Sequence, residues 1–132
     1  MQLTIVTPES PKLAQDVAEV TLPGKLGEMQ ILPGHTPVVS ALEVGILTWQ
    51  GAEGNGMLAV NRGFVEVLDD QVSVLTETCE ASDEVDVDRA KDALQRAREH
   101  IERSQTDESI DAIRAEYALK RALMRLKASG ID

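Results

Sequence analysis

A chain of 132 residues with a formal net charge of −10 makes one compact domain with an appendage, or two very small ones, and so acidic a body repels phosphate backbones. Trp49, Phe64 and Tyr117 are its only aromatics, too few to stack bases, and this counts against nucleic-acid binding. No stretch approaches the roughly 18 apolar residues that a membrane helix needs, so direct insertion in a bilayer is not expected.

The charge is unevenly spread. Residues 1–83 hold 3 basic and 12 acidic side chains, and residues 84–132 hold 10 and 11. The start, Met1 to Ile5, has neither the basic nor the apolar region of a secretory signal. Cys79 stands alone and forms no internal disulfide, which suits a reducing compartment.

Glycine and proline divide the chain more sharply than charge does. All 5 prolines fall at or before Pro37, and of the 9 glycines only Gly130 lies beyond Gly63. The first half is therefore punctuated by turns, whereas the stretch from about Val85 to Lys127 runs in strong helix formers. The reading is α+β: an N-terminal flattened antiparallel β-sandwich over 1–84, then a C-terminal antiparallel two-helix hairpin over 85–132. The junction at Ser82–Glu84 is polar.

In chain order, Leu3 and Ile5 alternate with polar neighbours until Pro8 and Pro11 close the run. Val17, Val20 and Leu22 form a less regular strand ending at Pro23-Gly24. Short apolar runs follow at Met29–Leu32, Val44–Trp49 and Met57–Val60. The segments Pro33 to Pro37 and Gly51 to Gly56 are loops by composition. Val65, Val67 and Val72, Val74 keep a period of two around Asp69-Asp70, which predicts a hairpin. Many short strands at this spacing suit a sandwich or a flattened barrel.

No nucleophile elbow, metal-ligand pair or phosphate loop appears in this half. Gly24, Gly27 and Gly34 resemble a phosphate loop only superficially, because no basic residue and helix start follow in the required order; they read as turn glycines. His35 sits in a Pro/Gly loop, where a hydrogen-bonding or interface role fits better than catalysis. The chain is not expected to be an enzyme.

In the second half Ala90, Leu94, Ala97 and Ile101 recur at helical steps, as do Ala112, Ala115, Leu119, Ala122 and Leu126. Each is a narrow seam of the kind that packed helices share. Asp86 is the expected N-cap of the first helix, and Ser104 to Ser109 supply capping residues for the second. Alanine seams bring helices close but bury little apolar area, at roughly 25 cal/mol per Å². The hairpin should hold weakly and rearrange on binding.

Arginines are its sharpest chemical signal. Arg89 and Arg96 lie on nearly one face, and so do Arg121 and Arg125. A turn near residues 105–106 sets Arg89 level with Ala122. Arg121 and Arg125 have no acid three or four residues away in their own helix. Clustered guanidinium groups without carboxylates suit an anion, either phosphate oxygens or an acidic protein surface. The same spacing also suits arginines that point into water.

These residues together resemble one family, the epsilon subunit of bacterial F-type ATP synthases. Leu22-Pro23-Gly24, Gly27, Ile31 to Pro37, Leu42 and Gly45-Ile46-Leu47 look like its loop and strand signature, in order and spacing. Gly63 to Val67 and Val72 to Leu75 look like its later hairpin. Val85-Asp86-Val87-Asp88-Arg89-Ala90 is similar to the Ile/Leu-Asp-x-x-Arg-Ala motif that opens its helical hairpin, departing only in Val85.

The resemblance implies a non-catalytic rotor subunit bound to the gamma subunit of the central stalk, near the membrane rotor ring, peripheral on the cytoplasmic face of the bacterial inner membrane. It implies a hairpin that folds on the sandwich or extends into the catalytic alpha/beta hexamer, where it inhibits ATP hydrolysis. No cofactor is required, but ATP is an implied regulatory ligand of the folded form. The matching ATP-site positions are Glu80, Val85, Asp86, Arg89, Ala90, Arg96, Arg121 and Arg125. Glu28 and His35 match positions facing the rotor ring and stalk. A free-standing small-ligand-binding β-sandwich module and a small enzyme with an unrecognised site are the competing readings.

Overall fold

The computed structural model describes residues 1–81 and 84–130. The chain divides into two compact units, Met1–Cys79 and Glu80–Asp132. Part of the junction expected at Ser82–Glu84 lies outside the described residues.

Among the described residues ten strands are formed: β1 (Gln2–Val6), β2 (Pro11–Asp16), β3 (Glu19–Gly24), β4 (Gly27–Ile31), β5 (Val38–Leu42), β6 (Gly45–Gln50), β7 (Gly56–Val60), β8 (Gly63–Leu68), β9 (Gln71–Thr76) and β10 (Cys79–Ala81). They order as β10-β7-β6-β3-β5-β8-β9-β1-β2, with β4 on the other edge of β3. The single residue pair Gly24↔Leu42 joins β3 to β5 and marks where the sheet folds over on itself. Fully buried Leu3, Ile5, Val65, Val72 and Val74 from one layer and Val20, Leu22, Ile31 and Leu47 from the other fill the core. Period-two alternation in β8 and β9 delivers one apolar face to that core, as the sequence led us to expect.

Three strands escape the sequence pattern. β2 has only Leu13 and Ala14 as apolar residues and is largely exposed, with only Leu13 and Gln15 half-buried, an edge strand that tolerates Pro11 at its start. β5 follows Pro37, and β10, of only 3 residues, lies beside the junction. Among the pairs whose register is described, all are antiparallel except one: β1 runs parallel to β9, Leu3 opposite Val72 and Ile5 opposite Val74. Only a hairpin forces neighbours to run antiparallel, and β1 reaches β9 across most of the unit.

The Asp69-Asp70 turn joins β8 to β9 with both residues left-handed, φ 50° and 58°, the geometry of a type I′ turn. Asp tolerates that region because its short side chain bonds locally, and here the bond is tertiary: Gly34 N donates to Asp70 Oδ1 at 2.8 Å. Gly63 is required for a different reason. A Cβ there would lie 1.9 Å from the Leu75 carbonyl oxygen, so only glycine lets β8 approach β9 at this point.

The second unit holds α1 (Val87–Ser104) and α2 (Ala112–Ala128). Asp86 caps α1 as expected, its carboxylate accepting from Arg89 N at 3.0 Å. The cap of α2 is Asp111, accepting from Arg114 N at 3.1 Å, rather than a residue of Ser104–Ser109. That shift has a local cause. Asp107 accepts from the Ser109 hydroxyl at 2.6 Å and its amide at 2.9 Å, a turn that competes with helix. These two bonds, the hydroxyl's foremost, hold the Asp107 carboxyl below its ordinary range, so the turn is retained at neutral pH and loosens as acid protonates it.

Alanine dominates the buried positions of the helices: Ala90, Ala97, Ala115 and Ala122 are each 5% exposed or less. Leu94, Ile101 and Leu119 are only half-buried, and Ala112, the first residue of its helix, is exposed. The seam is real and thin.

Candidate functional site

Glu80 opens the second unit, ahead of α1, and meets Arg125 near the end of α2, so the two helices run antiparallel. Arg125 Nε lies 2.7 Å from Glu80 Oε1, and Nη2 donates to Oε2 at 3.3 Å. Both side chains are about a quarter exposed, at 26% and 27%. The contact is side-on and uses both carboxylate oxygens, the arrangement by which a guanidinium also holds phosphate.

The other expected ATP-site positions fall into separate groups. Val85 is 9% exposed and Ala90 fully buried, so these two shape the start of α1. The Asp86 carboxylate is engaged by the Arg89 amide, and Ala90 N donates to Asp86 O at 2.9 Å. Arg89 and Arg96 are exposed on α1, whereas Arg121 is half-buried on α2.

The expected level of the arginines requires a correction. With α1 ending at Ser104 and α2 starting at Ala112, Arg89 comes level with Lys127, not Ala122. The connection spans 105–111 because of the Asp107 turn, and this moves the midpoint of the hairpin. By axial position Arg89 is then about 3 Å from Arg125, and Arg96 about 1.5 Å from Arg121, at 1.5 Å per residue. Of these four arginines, Arg125 is the one that Glu80 pairs with.

In the first unit Glu28 and His35 lie at opposite ends of β4. Glu28 stands opposite Pro23, at the end where Gly24 pairs with Leu42 and Leu42 with Gly63. The His35 loop is tied through Gly34 to the Asp70 turn, at the far end of β8. His35 Nδ1 lies 2.7 Å from the Thr36 carbonyl oxygen. The structure does not bring these two residues together.

One surface was not singled out from the sequence. Across five strands the row Pro11, Val6, Leu75, Phe64, Ala41 is in direct register. Leu75 is 59% and Phe64 60% exposed, with Val39 of β5 at 69% nearby on the same face. These positions are out of phase with the buried valines of β8 and β9, so large apolar residues occupy sites that alternation leaves for polar ones. That was the available signal. With Val39 and with Leu68, 46% exposed and in phase with Phe64, the row forms an exposed apolar surface of the kind that marks an interaction site.

Comparison with known proteins fits this two-unit chain. Residues 1–82 match the family model described as ATP synthase, Delta/Epsilon chain, beta-sandwich domain, and residues 83–130 the one described as ATP synthase, Delta/Epsilon chain, long alpha-helix domain. The chain belongs to the ATP synthase delta/epsilon-chain family. The ATP synthase epsilon chain of Bacillus pumilus is 46% identical over 130 residues, covering 98% of this chain and 97% of the relative. That of Geobacter sulfurreducens is 41% identical, covering 98% and 94%. Among solved structures, a chain in the Euglena gracilis mitochondrial ATP synthase, OSCP/F1/c-ring in rotational state 1, is similar at a TM-score of 0.79 and 30% identity, covering 96% of this chain and 79% of that one. Epsilon chains of this family are non-catalytic components of the central stalk, and this member is placed among them. No helix among its described residues is long and apolar enough to cross a membrane.

Proposed function

We propose that this epsilon-family chain docks on the gamma subunit of the central stalk, beside the membrane rotor ring, through the apolar row of its first unit. The observation that carries the reading is the register of Val6, Leu75, Phe64 and Ala41 across neighbouring strands, two of them more than half exposed. Through the complex the chain is peripheral on the cytoplasmic face of the bacterial membrane. Residues 1–84 are the attachment domain, and 85–132 a regulatory hairpin. Truncation after residue 84 is the test. Circular dichroism of β type and undiminished binding to the gamma subunit are expected, and loss of that binding would refute the assignment.

The hairpin inhibits ATP hydrolysis by docking on the catalytic alpha/beta hexamer when extended. The outward face of α2 supports this: Ile113, Glu116, Lys120, Leu123 and Lys127 recur at helical steps and all are exposed. Basic groups interleaved with Ile113 and Leu123 suit an acidic partner with apolar spots.

When folded, the hairpin binds ATP through Arg89, Arg96, Arg121 and Arg125, with Asp86 and Val85 at the start of α1. Each charge-assisted hydrogen bond contributes about 1.5–3 kcal/mol, so Arg89→Ala or Arg125→Ala should each weaken ATP binding roughly ten- to a hundredfold. Titration calorimetry on the isolated chain measures this; the absence of heat at millimolar ATP would remove ATP from the account.

A further inference from the structure

The loop between β4 and β5 carries a turn whose orientation is set by one distant carboxylate. Leu32-Pro33-Gly34-His35 has the composition of a type II turn, and Gly34 takes the φ of 82° that this turn needs. His35 N donates to Leu32 O at 3.2 Å and closes it. A type I turn would differ in the peptide between Pro33 and Gly34, which would face the opposite way. The N–H of that peptide donates to Asp70 Oδ1 at 2.8 Å, across 36 residues. Asp70 is itself fixed: its φ of 58° belongs to the β8–β9 turn, and its carbonyl oxygen accepts from Gln2 N at 2.9 Å. A flipped peptide would aim the Pro33 carbonyl oxygen at the carboxylate, and two acceptors repel.

This loop lies at one end of the exposed apolar surface. It leads directly into β5, whose Val39 is 69% exposed, and Leu32 within it is 49% exposed. Leu68, 46% exposed, ends β8 beside the Asp69-Asp70 turn. The surface that begins at Phe64 and Leu75 therefore extends along the sheet to the end where Asp70 holds the loop.

We propose that Asp70 is a positioning residue: its carboxylate selects the type II orientation of the Pro33–Gly34 peptide, and so presents the 32–37 loop to the gamma subunit as the second end of the docking face. This rests on the reading of the apolar row as the gamma-docking surface. A loop that divides its time between two turn types binds only in the competent one, and its apparent affinity falls in proportion to that fraction. Asp70 removes the loss by holding the loop in one state before the partner arrives.

The experiment uses the full chain and purified gamma subunit. Asp70→Gly removes the carboxylate but keeps the left-handed turn, and Asp70→Asn keeps an acceptor oxygen. Asp69→Asn makes the same charge change one residue away. Gly34→Ala disfavours the positive φ, and it acts on the turn alone because nothing lies within 4 Å of a Cβ there. Asp70→Gly and Gly34→Ala should each weaken gamma binding about tenfold, the effect of losing one charge-assisted hydrogen bond or one favourable backbone state. Asp70→Asn should recover most of the affinity, and Asp69→Asn should match the parent. Amide exchange at Gly34 should quicken about tenfold in Asp70→Gly while that of the buried Val65 and Val74 stays unchanged, a contrast that general destabilisation would not give.

Unchanged exchange at Gly34 in Asp70→Gly overturns the latch. Quickened exchange with unchanged gamma affinity overturns the role of the loop in docking, and an equal loss in Asp69→Asn overturns it in favour of bulk charge. If Phe64→Glu with Leu75→Glu abolishes binding and Asp70→Gly leaves it intact, the docking face stands and the loop is no part of it. If that double variant binds as the parent does, the docking face falls and this inference with it.

Discussion

Replacing Phe64 and Leu75 together by glutamate is expected to weaken binding to the gamma subunit by more than a hundredfold while leaving the isolated fold intact. The two residues are opposite one another in the β8–β9 register and are 60% and 59% exposed, so each still has more than half its surface to hide on docking. Burying the remainder contributes about 1–2 kcal/mol per side chain, and a carboxylate forced into the same contact adds a desolvation cost. A loss of about 3 kcal/mol or more corresponds to the hundredfold or greater change. Met57→Glu, at 40% exposure on β7 in the other layer, should leave the affinity nearly unchanged. Titration against purified gamma subunit measures all three proteins. Equal losses for Met57→Glu and the double variant would show that general apolarity, not this row, governs binding.

Deleting residues 105–132 is expected to raise ATP hydrolysis several-fold in the reconstituted complex and to leave ATP synthesis largely intact. The deletion removes α2 with its outward Lys120, Leu123 and Lys127, and it also frees Glu80. A finer variant separates the two effects. Lys120→Glu with Lys127→Glu reverses charge only at exposed positions, so the helix and the Glu80–Arg125 pair should persist. If the hexamer offers an acidic surface, hydrolysis should rise in the same direction, and added salt should diminish inhibition by the parent chain, since exposed charges are screened over roughly 10 Å at 0.1 M. Hydrolysis unchanged by either alteration would remove the inhibitory role from this chain.

The sequence by itself determined the two-part plan, because local physics sets it. Glycine and proline interrupt the first half, and their loss lets the second run as helix. Period-two valines fix which faces of β8 and β9 are buried, and the Asp86 cap needs only the residues beside it. Asp69-Asp70 declares its turn in the same local way. Other features depend on residues far apart in the chain. The parallel pairing of β1 with β9 has no hairpin to announce it, and β2 has too few apolar residues to show as a strand.

Local signals also competed at one place, where the Asp107 turn displaced the start of α2 to Ala112 and so changed which arginines stand level. Tertiary structure alone decided the site. Arg125 has no acid within reach along its own helix, yet Glu80 reaches it from 45 residues earlier because the chain doubles back. The apolar row exists only in register: Phe64 and Leu75 are single exposed residues in sequence and become a surface when β8, β9 and β1 align. An exposed apolar row and an ion pair are relations between distant segments: spacing along the chain shows that Phe64 and Leu75 are out of phase with the buried valines, but not which residues they join until the strands are paired.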